Sequence, residues 1–278
     1  MNVVLPPQAD DQQPLFIVGS MRSGSTWVRD LLRRIPNFIC PEETHFLRWS
    51  EPFRTPGGMR PHTRNRLLER HRDIDGIDPE VFDLMLRLCP SKAHLHKRYI
   101  SAYAQAQGVA PPFRWFDKTP QNIYGLPLIL AEFPKARFLH LVRNPLNVVA
   151  SLKLGKQVRI PDLQGAINCW LEAVMIWDVM SPIAADRVME LRYEEVLKNV
   201  PRAMSAVAEF AGVNCPTGLW SGADARQERN QWAKVLNMDE AGRVVRRCTP
   251  AAAIRGYDLP AMLEAHMARD SPQSARRG

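Results

Sequence analysis

Short apolar runs alternate with longer stretches of helical period along this chain. Leu15-Phe16-Ile17-Val18 is continuous and closed by Gly19, the pattern of a strand buried on both faces of a parallel sheet. From Thr26 the period changes. Trp27, Leu31, Leu32 and Ile35 fall on one side, Arg29, Asp30, Arg33 and Arg34 elsewhere, and Pro36 ends the run, as expected of an amphipathic helix. Residues 15–35 therefore predict strand, glycine loop, helix. Arg137 to Val142 predicts a second core strand, then a helix through about Lys153 with Pro145 in its first turn. Helices are expected over 79–107 with a break at Pro90, over 123–133 despite Pro127, over 163–180 and over 201–211. Val188 to Leu191 reads as a third strand, and Tyr193-Glu194-Glu195 opens another helical region. Residues 50–75 read as irregular. The first 14 residues read as a flexible arm and 267–278 as a disordered tail. Strands alternating with helices over 15–266 predict a single three-layer α/β domain with a mostly parallel sheet. Such sheets bind ligands at the C-terminal ends of their strands.

Composition adds the partner's sign but not its identity. The 278 residues are 45% hydrophobic and 24% charged, which fits a folded, soluble chain with one sizeable core. Lys+Arg exceed Asp+Glu by 37 − 29 = +8. That balance points to an anionic partner: nucleic acid, acidic membrane, acidic protein or a phosphate-bearing small molecule. No apolar run of about 18 residues exists, so no membrane span is expected. Met1 to Pro14 has neither a basic nor an apolar region of a secretory signal. The five cysteines (Cys40, Cys89, Cys169, Cys215, Cys248) are odd in number and include no CxxC. Neither zinc knuckle nor disulfide framework is suggested, and a reducing cytoplasm is the expected home. No metal cluster is expected; His94-Leu95-His96 falls in a helical stretch and is read as incidental.

Gly19-Ser20-Met21-Arg22-Ser23-Gly24-Ser25-Thr26 has the spacing of the G-x-x-x-x-G-K-[ST] phosphate loop, with Ser25 where lysine belongs. Much of the physical logic survives. A loop entering a helix N-terminus aims backbone N–H groups at one point, where the helix dipole favours an anion. Gly24 permits close approach, Ser23, Ser25 and Thr26 add hydroxyls, and Arg22 adds a permanently charged fork. The missing lysine argues against ATP or GTP hydrolysis, since it is the group that reaches the β- and γ-phosphates. A second candidate follows the Arg137–Val142 strand. Arg143 and Ser151 are eight residues apart, a little over two helical turns. They are placed to grip one phosphate from two sides.

Together these segments resemble the sulfotransferases that use 3′-phosphoadenosine 5′-phosphosulfate (PAPS). Arg22-Ser23-Gly24-Ser25-Thr26-Trp27 is similar to that family's 5′-phosphosulfate loop. Phe138 through Arg143-Asn144-Pro145 to Ser151 is similar to its 3′-phosphate segment, in which the Arg and Ser hold the 3′-phosphate. Asp117-Lys118-Thr119-Pro120 resembles an element that contacts the sulfuryl end. Arg192-Tyr193-Glu194 and Arg255-Gly256-Tyr257-Asp258 match further family positions. Pro41-Glu42-Glu43-Thr44-His45 resembles the Glu-Glu-Thr segment of tyrosylprotein sulfotransferases, whose second glutamate is the base. Bacterial enzymes with other acceptors carry a similar Glu-Thr-His-Phe stretch. The resemblance spans roughly 14–258 and is nearest to soluble, bacterial-type members. Asn144, Leu146 and Asn147 depart from the usual second motif. Asn230-Gln231-Trp232 with Lys234 departs from the usual Gly-Arg or Gly-Lys before the lid tryptophan.

The resemblance implies PAPS as sulfuryl donor, no metal, and a P-loop-like sulfotransferase fold. It implies Arg22 and Lys118 on the sulfuryl group and bridging oxygen, with Glu43 as base and Glu42 and His45 as its competitors. Cofactor contacts are expected from Arg22, Ser23, Gly24, Ser25, Thr26, Trp27, Arg143, Ser151, Tyr193, Trp232 and Lys234. The expected acceptor is a tyrosine of a peptide or protein, with a small-molecule or carbohydrate hydroxyl as the alternative. Arginines 54, 60, 64, 66, 70 and 72 suit an acidic acceptor. A homodimer is allowed. The remoter readings are a phosphate-loop kinase and a nucleic-acid-binding module, for which no signature is present.

Overall fold

Every residue of strand β1 (Leu15–Gly19) is buried, and its two faces serve different cores. Leu15 and Ile17 pack with Trp27, Val28, Leu31, Met204 and Val207. Phe16 and Val18 pack with Leu95, Tyr99, Ile100, Ile129 and Trp177. That is why the strand reads as a continuous apolar run instead of an alternating one. Full burial of a side chain such as Phe16 is worth about 1.5–3 kcal/mol.

The computed structural model describes residues 4–10, 13–49, 51–155, 158–222, 226–228 and 230–270. After β1 the chain forms α1 (Ser25–Leu32), β2 (Phe38–Ile39), α2 (Pro56–Arg64), α3 (Arg66–Asp75), α4 (Pro79–Leu88) and α5 (Lys92–Ala106). Strand β3 (Arg114–Lys118), a 3₁₀ turn over Pro120–Gly125, α6 (Leu126–Glu132), β4 (Arg137–Val142), α7 (Pro145–Leu154) and α8 (Leu163–Ala184) follow. Strand β5 (Val188–Arg192), α9 (Tyr193–Lys198), α10 (Val200–Ala211), α11 (Trp232–Val235), α12 (Met238–Ala253) and α13 (Leu259–Asp270) complete it. The sheet is parallel throughout, in the order β2-β3-β1-β4-β5. Helices cover both faces, so the fold is the expected three-layer α/β domain. A third cluster, with Val142 at the end of β4 and Leu146, Val149, Trp170, Val174, Val244 and Cys248, joins α7, α8 and α12.

The structure differs from the sequence reading in several places. Residues 56–75 are two helices, not irregular chain. Thr55 caps α2 by accepting from Gly58 N and Pro56 sits in its first turn, while Asn65 caps α3 and Gly76, at φ 73°, closes it. Part of the segment expected as a flexible arm is docked. Ala9 N donates to Lys97 O at 3.1 Å, and Trp115 Nε1 donates to Asp10 O at 2.6 Å. Of the expected tail, residues 267–270 continue α13. Residues 1–3 of the arm, with 11 and 12, and residues 271–278 of the tail lie outside the described residues. His94 and His96 lie on α5, where His96 is fully buried among Phe16, Phe46, Trp115 and Phe133.

Candidate active site

Each strand of the sheet delivers a candidate residue at or just beyond its C-terminal end. The loop Ser20–Gly24 follows β1, and Glu42 to His45 follow β2. Lys118 closes β3, Arg143 follows β4, and Tyr193 follows β5. These segments enclose a cavity of about 580 Å³ lined by Arg22, Gly24, Ser25, Thr26, Trp27, Glu43, Lys118, Arg143, Ser151 and Tyr193. The strand order reverses direction beside β1, so the cavity sits at the topological switch point.

The loop after β1 is shaped for an anion. Gly24 is the N-cap of α1 at φ 90° and no side chain caps the helix, so its first amides stay available. A Cβ at position 24 would lie 2.3 Å from the Tyr193 ring, which only glycine avoids. Ser23 Oγ is buried without a partner among the described residues. Arg22 holds φ 68°, a left-handed conformation that costs a non-glycine residue about 1–2 kcal/mol. Its Nε donates to Ser151 Oγ at 3.0 Å, and its carbonyl accepts from Arg143 Nη1 at 3.3 Å. The structure thus joins Arg22 to the Arg143–Ser151 end, where the sequence reading grouped it with Lys118.

Arg143 is held from several sides. Its guanidinium lies 4.7 Å over the Tyr193 ring, and its carbonyl accepts from Trp170 Nε1 at 2.9 Å. The next amide, Asn144 N, donates to Glu194 Oε1 at 3.0 Å, and Tyr257 Oη donates to Glu194 Oε2 at 2.6 Å. The Arg192-Tyr193-Glu194 and Arg255–Asp258 segments therefore meet, and together they fix the corner that carries Arg143. The guanidinium itself makes a two-pronged ion pair with Glu228, at 2.7 and 3.1 Å.

The opposite end centres on Lys118 and Glu43. Lys118 Nζ donates to Glu43 Oε1 and, at 3.3 Å, to Thr26 Oγ1. The lysine side chain is only 2% exposed and that of Glu43 27%. His45 Nε2 lies 3.3 Å from Glu43 Oε2, and Arg48 Nη1 lies 3.2 Å from His45 Nδ1. An arginine can only donate, so Nδ1 is the acceptor and the imidazole proton sits on Nε2, facing Glu43. Burial pushes His45 below its ordinary value, against the pull of Glu43. Burial alone would raise the Glu43 carboxyl, but hydrogen bonds and charge from His45 and Lys118 outweigh it and hold the group at about 2.

Two neighbouring carboxylates are otherwise engaged. Glu42 accepts from Arg29 at 2.6 Å and pairs with Arg33 at 3.4 Å. Asp117 is buried and accepts from Thr44 Oγ1 at 3.0 Å and Asn122 Nδ2 at 2.9 Å; burial pushes it up to about 6. Among the described residues no group of three or more His, Cys, Asp or Glu could hold a metal ion. No described helix is long and apolar enough to cross a membrane.

Of the sequence-predicted residues, the structure brings all but Trp232 and Lys234 to this site. Trp232 is 4% exposed and packs in the helical cluster of α7 and α12, 5.0 Å from the His266 ring. Lys234 is exposed. Arg48, Trp49, His71 and Arg226 also line the cavity but were not singled out as site residues by sequence. No short motif marks them; only the arginine-rich stretch and the neighbourhood of Glu43 hinted at that wall.

Comparison with known proteins agrees with this geometry. The model of a family described as the sulfotransferase family matches residues 14–217. Protein-tyrosine sulfotransferase 2 of Gallus gallus is 24% identical over 213 residues, covering 73% of this chain and 52% of the relative. The same enzyme type from Danio rerio, protein-tyrosine sulfotransferase 1, is also 24% identical, over 208 residues, with 73% and 54% covered. The chain thus spans about half the length of the curated relatives it matches. Among solved structures, the sulfotransferase domain of the Synechococcus PCC 7002 olefin synthase superposes with a TM-score of 0.62 at 21% identity, covering 93% of this chain and 99% of that domain. Mouse sulfotransferase SULT7A1 complexed with PAP superposes at 0.51 with 13% identity, covering 94% and 91%. With the phosphate loop, the Arg143–Ser151 pair and Lys118 on one cavity and the family pattern matching through residue 217, the chain belongs to the sulfotransferase family.

Proposed function

We propose that the protein moves a sulfuryl group from PAPS to an acceptor hydroxyl, with a peptide tyrosine as the first acceptor and a small-molecule or carbohydrate hydroxyl as the alternative. The observation that carries this reading is the two-ended cavity. Arg143, Ser151 and Arg22 converge at one end, and Lys118 with Glu43 at the other, with the open N-terminus of α1 between. A nucleotide with phosphate-type anions at both ends suits that spacing of positive charge. The buried, partnerless Ser23 Oγ and the clearance at Gly24 suit it too.

When bound, PAPS supplies an activated sulfuryl group and a phosphate leaving group. The protein's part is positioning and charge stabilisation. Lys118, with the α1 amides, donates toward the bridging oxygen where charge develops. Glu43 accepts the proton of the attacking hydroxyl at Oε1 or Oε2. His45, with its proton directed at Glu43, orients that carboxylate and does not compete as the base. Glu42 is committed to Arg29 and Arg33 and serves structure.

The acceptor wall supports the tyrosine preference. Trp49, Leu67, Leu68 and His71 line the cavity near Glu43 and offer an aromatic ring apolar contact. Arg54, Arg60, Arg64, Arg66 and Arg70 are exposed on and around α2 and α3, the same helices, where an acidic peptide would lie. The curated relatives named above are tyrosine sulfotransferases. The test is incubation with PAPS and a panel of tyrosine peptides, phenols and sugars, read by mass spectrometry. An 80 Da gain (about the mass of SO₃) on tyrosine peptides is expected. Product on sugars alone overturns the tyrosine preference. Failure to bind 3′,5′-adenosine bisphosphate, or binding indifferent to Arg143→Ala, overturns the PAPS reading.

A further inference from the structure

We propose that Glu228 is an internal competitor for the 3′-phosphate subsite: it holds Arg143 until a nucleotide bearing that phosphate displaces it, and so lowers the affinity for that nucleotide. The inference rests on the PAPS reading above and extends it to a residue outside the recognised motifs. Arg143 Nε donates to one Glu228 oxygen at 3.1 Å and Nη2 to the other at 2.7 Å. This is the planar, two-pronged arrangement by which a guanidinium binds a carboxylate or a phosphate. The same edge of the same guanidinium cannot serve both.

The contact is not an isolated surface pair. The two side chains are 19% and 17% exposed. Arg226 lies 5.0 Å over the Trp27 ring, and Asn230 Oδ1 accepts from Asn147 Nδ2 at 3.3 Å. Residues 226, 228 and 230 thus touch α1, Arg143 and α7 in turn. Arg143 Nη1 stays on the Arg22 carbonyl and the guanidinium stays over Tyr193, so the arginine is held ready for either partner.

Exchange favours a phosphate for a countable reason. Glu228 brings one negative charge and two oxygens at an intramolecular concentration on the order of mM. A terminal phosphate brings close to two charges and three acceptor oxygens. A nucleotide without the 3′-phosphate offers Arg143 nothing in return and leaves the Glu228 pair intact. The cost of opening the pair therefore falls on the bisphosphate alone and is subtracted from what its 3′-phosphate gains on Arg143.

The experiment compares calorimetric affinities of 3′,5′-adenosine bisphosphate and adenosine 5′-monophosphate for the full chain, Glu228→Gln and Arg143→Ala at one fixed salt concentration. Glu228→Gln is expected to tighten the bisphosphate about fivefold or more, the factor matching a partly buried pair. The monophosphate should stay within about twofold, since it carries no 3′-phosphate to compete for Arg143. A second variant, Glu228→Asp, shortens the reach of the carboxylate and should tighten the bisphosphate in the same direction. Unchanged or weaker bisphosphate binding in both Glu228 variants, while Arg143→Ala weakens it, overturns the Glu228 proposal alone. Equal tightening of both nucleotides also overturns it, because that is a general charge effect. No bisphosphate binding by any form overturns the PAPS reading itself.

Discussion

Lys118 and Glu43 form an ion pair across the cavity, the lysine from the last residue of β3 and the glutamate from the segment after β2. The group proposed to stabilise the leaving oxygen and the group proposed to accept the proton are therefore partners before any ligand arrives. Lys118→Ala should lower kcat by about 10²–10³. It should also move the Glu43 carboxyl upward from about 2, because burial, the largest influence on it, then loses one of its two opponents. The pH–rate profile of the variant should gain an acid limb that the wild type lacks above about pH 4. An unchanged profile would separate the two groups.

Glu43→Gln and His45→Asn should differ in kind. Removing the base should cost about 10²–10⁴ in kcat, within the range for general base catalysis. In the proposed mechanism His45 acts through Glu43 as a positioning residue, so His45→Asn should cost less than Glu43→Gln. Asparagine is chosen because position 45 holds φ 55°, which Asn tolerates better than most residues. The distinguishing readout is the acid limb of kcat/KM, which should shift in His45→Asn as Glu43 loses its hydrogen bond. A kcat loss in His45→Asn equal to that of Glu43→Gln would make His45 the base.

Stability carries the same signature. Glu43 is depressed from 4.5 to about 2, so its ionised form favours the folded state. Its contribution is fully present above pH 4.5 and is lost as pH falls through about 2. Thermal melts of wild type and Glu43→Gln should therefore differ by a constant amount above that value, and the gap should narrow below it. A gap that widens on acidification would reverse the assigned sign.

Trp232 belongs to the helical core, so Trp232→Phe should reduce stability by about 1–3 kcal/mol and leave bisphosphate affinity unchanged. Its indole N–H has no partner among the described residues, so no hydrogen bond is lost with the ring. Lys234→Ala should change neither quantity. Urea melts beside binding titrations check both; weaker nucleotide binding at unchanged stability would return Trp232 to the site.

What sequence revealed of this protein follows from burial. β1 is covered on both faces and leaves an unbroken apolar run, and β4 leaves one interrupted only by buried His140. β2 spans only Phe38–Ile39, too short for any period, and β3 ends in buried Asp117 and Lys118, which interrupt its apolar character. Gly57, Gly58 and Pro61 hide α2, whose caps at Thr55 and Pro56 were the usable signal. At the site, Arg143 and Ser151 were legible because one helix fixes their spacing. The Arg143–Glu228 pair was not, since its partners are 85 residues apart with no local pattern to join them. The partners of Glu42 (Arg29 and Arg33) and of Glu43 (Lys118) come from other elements of the chain and were not legible either.

The order β2-β3-β1-β4-β5 has a consequence for how such a chain can diversify. The residues proposed to face the acceptor come from one half of the sheet and from one stretch, 42–71, that runs through α2 and α3. Those that hold the anionic end come from the other half, through the loop after β1, the β4–α7 corner and Tyr193. Mutation can therefore redraw the acceptor wall within about thirty consecutive residues, a single loop-and-helix insertion in the sense of scaffolds that vary function by their connections. In the proposed reading the nucleotide half need not change with it, because Arg143, Ser151 and Tyr193 come from the β4–α7 corner and the end of β5, outside that stretch.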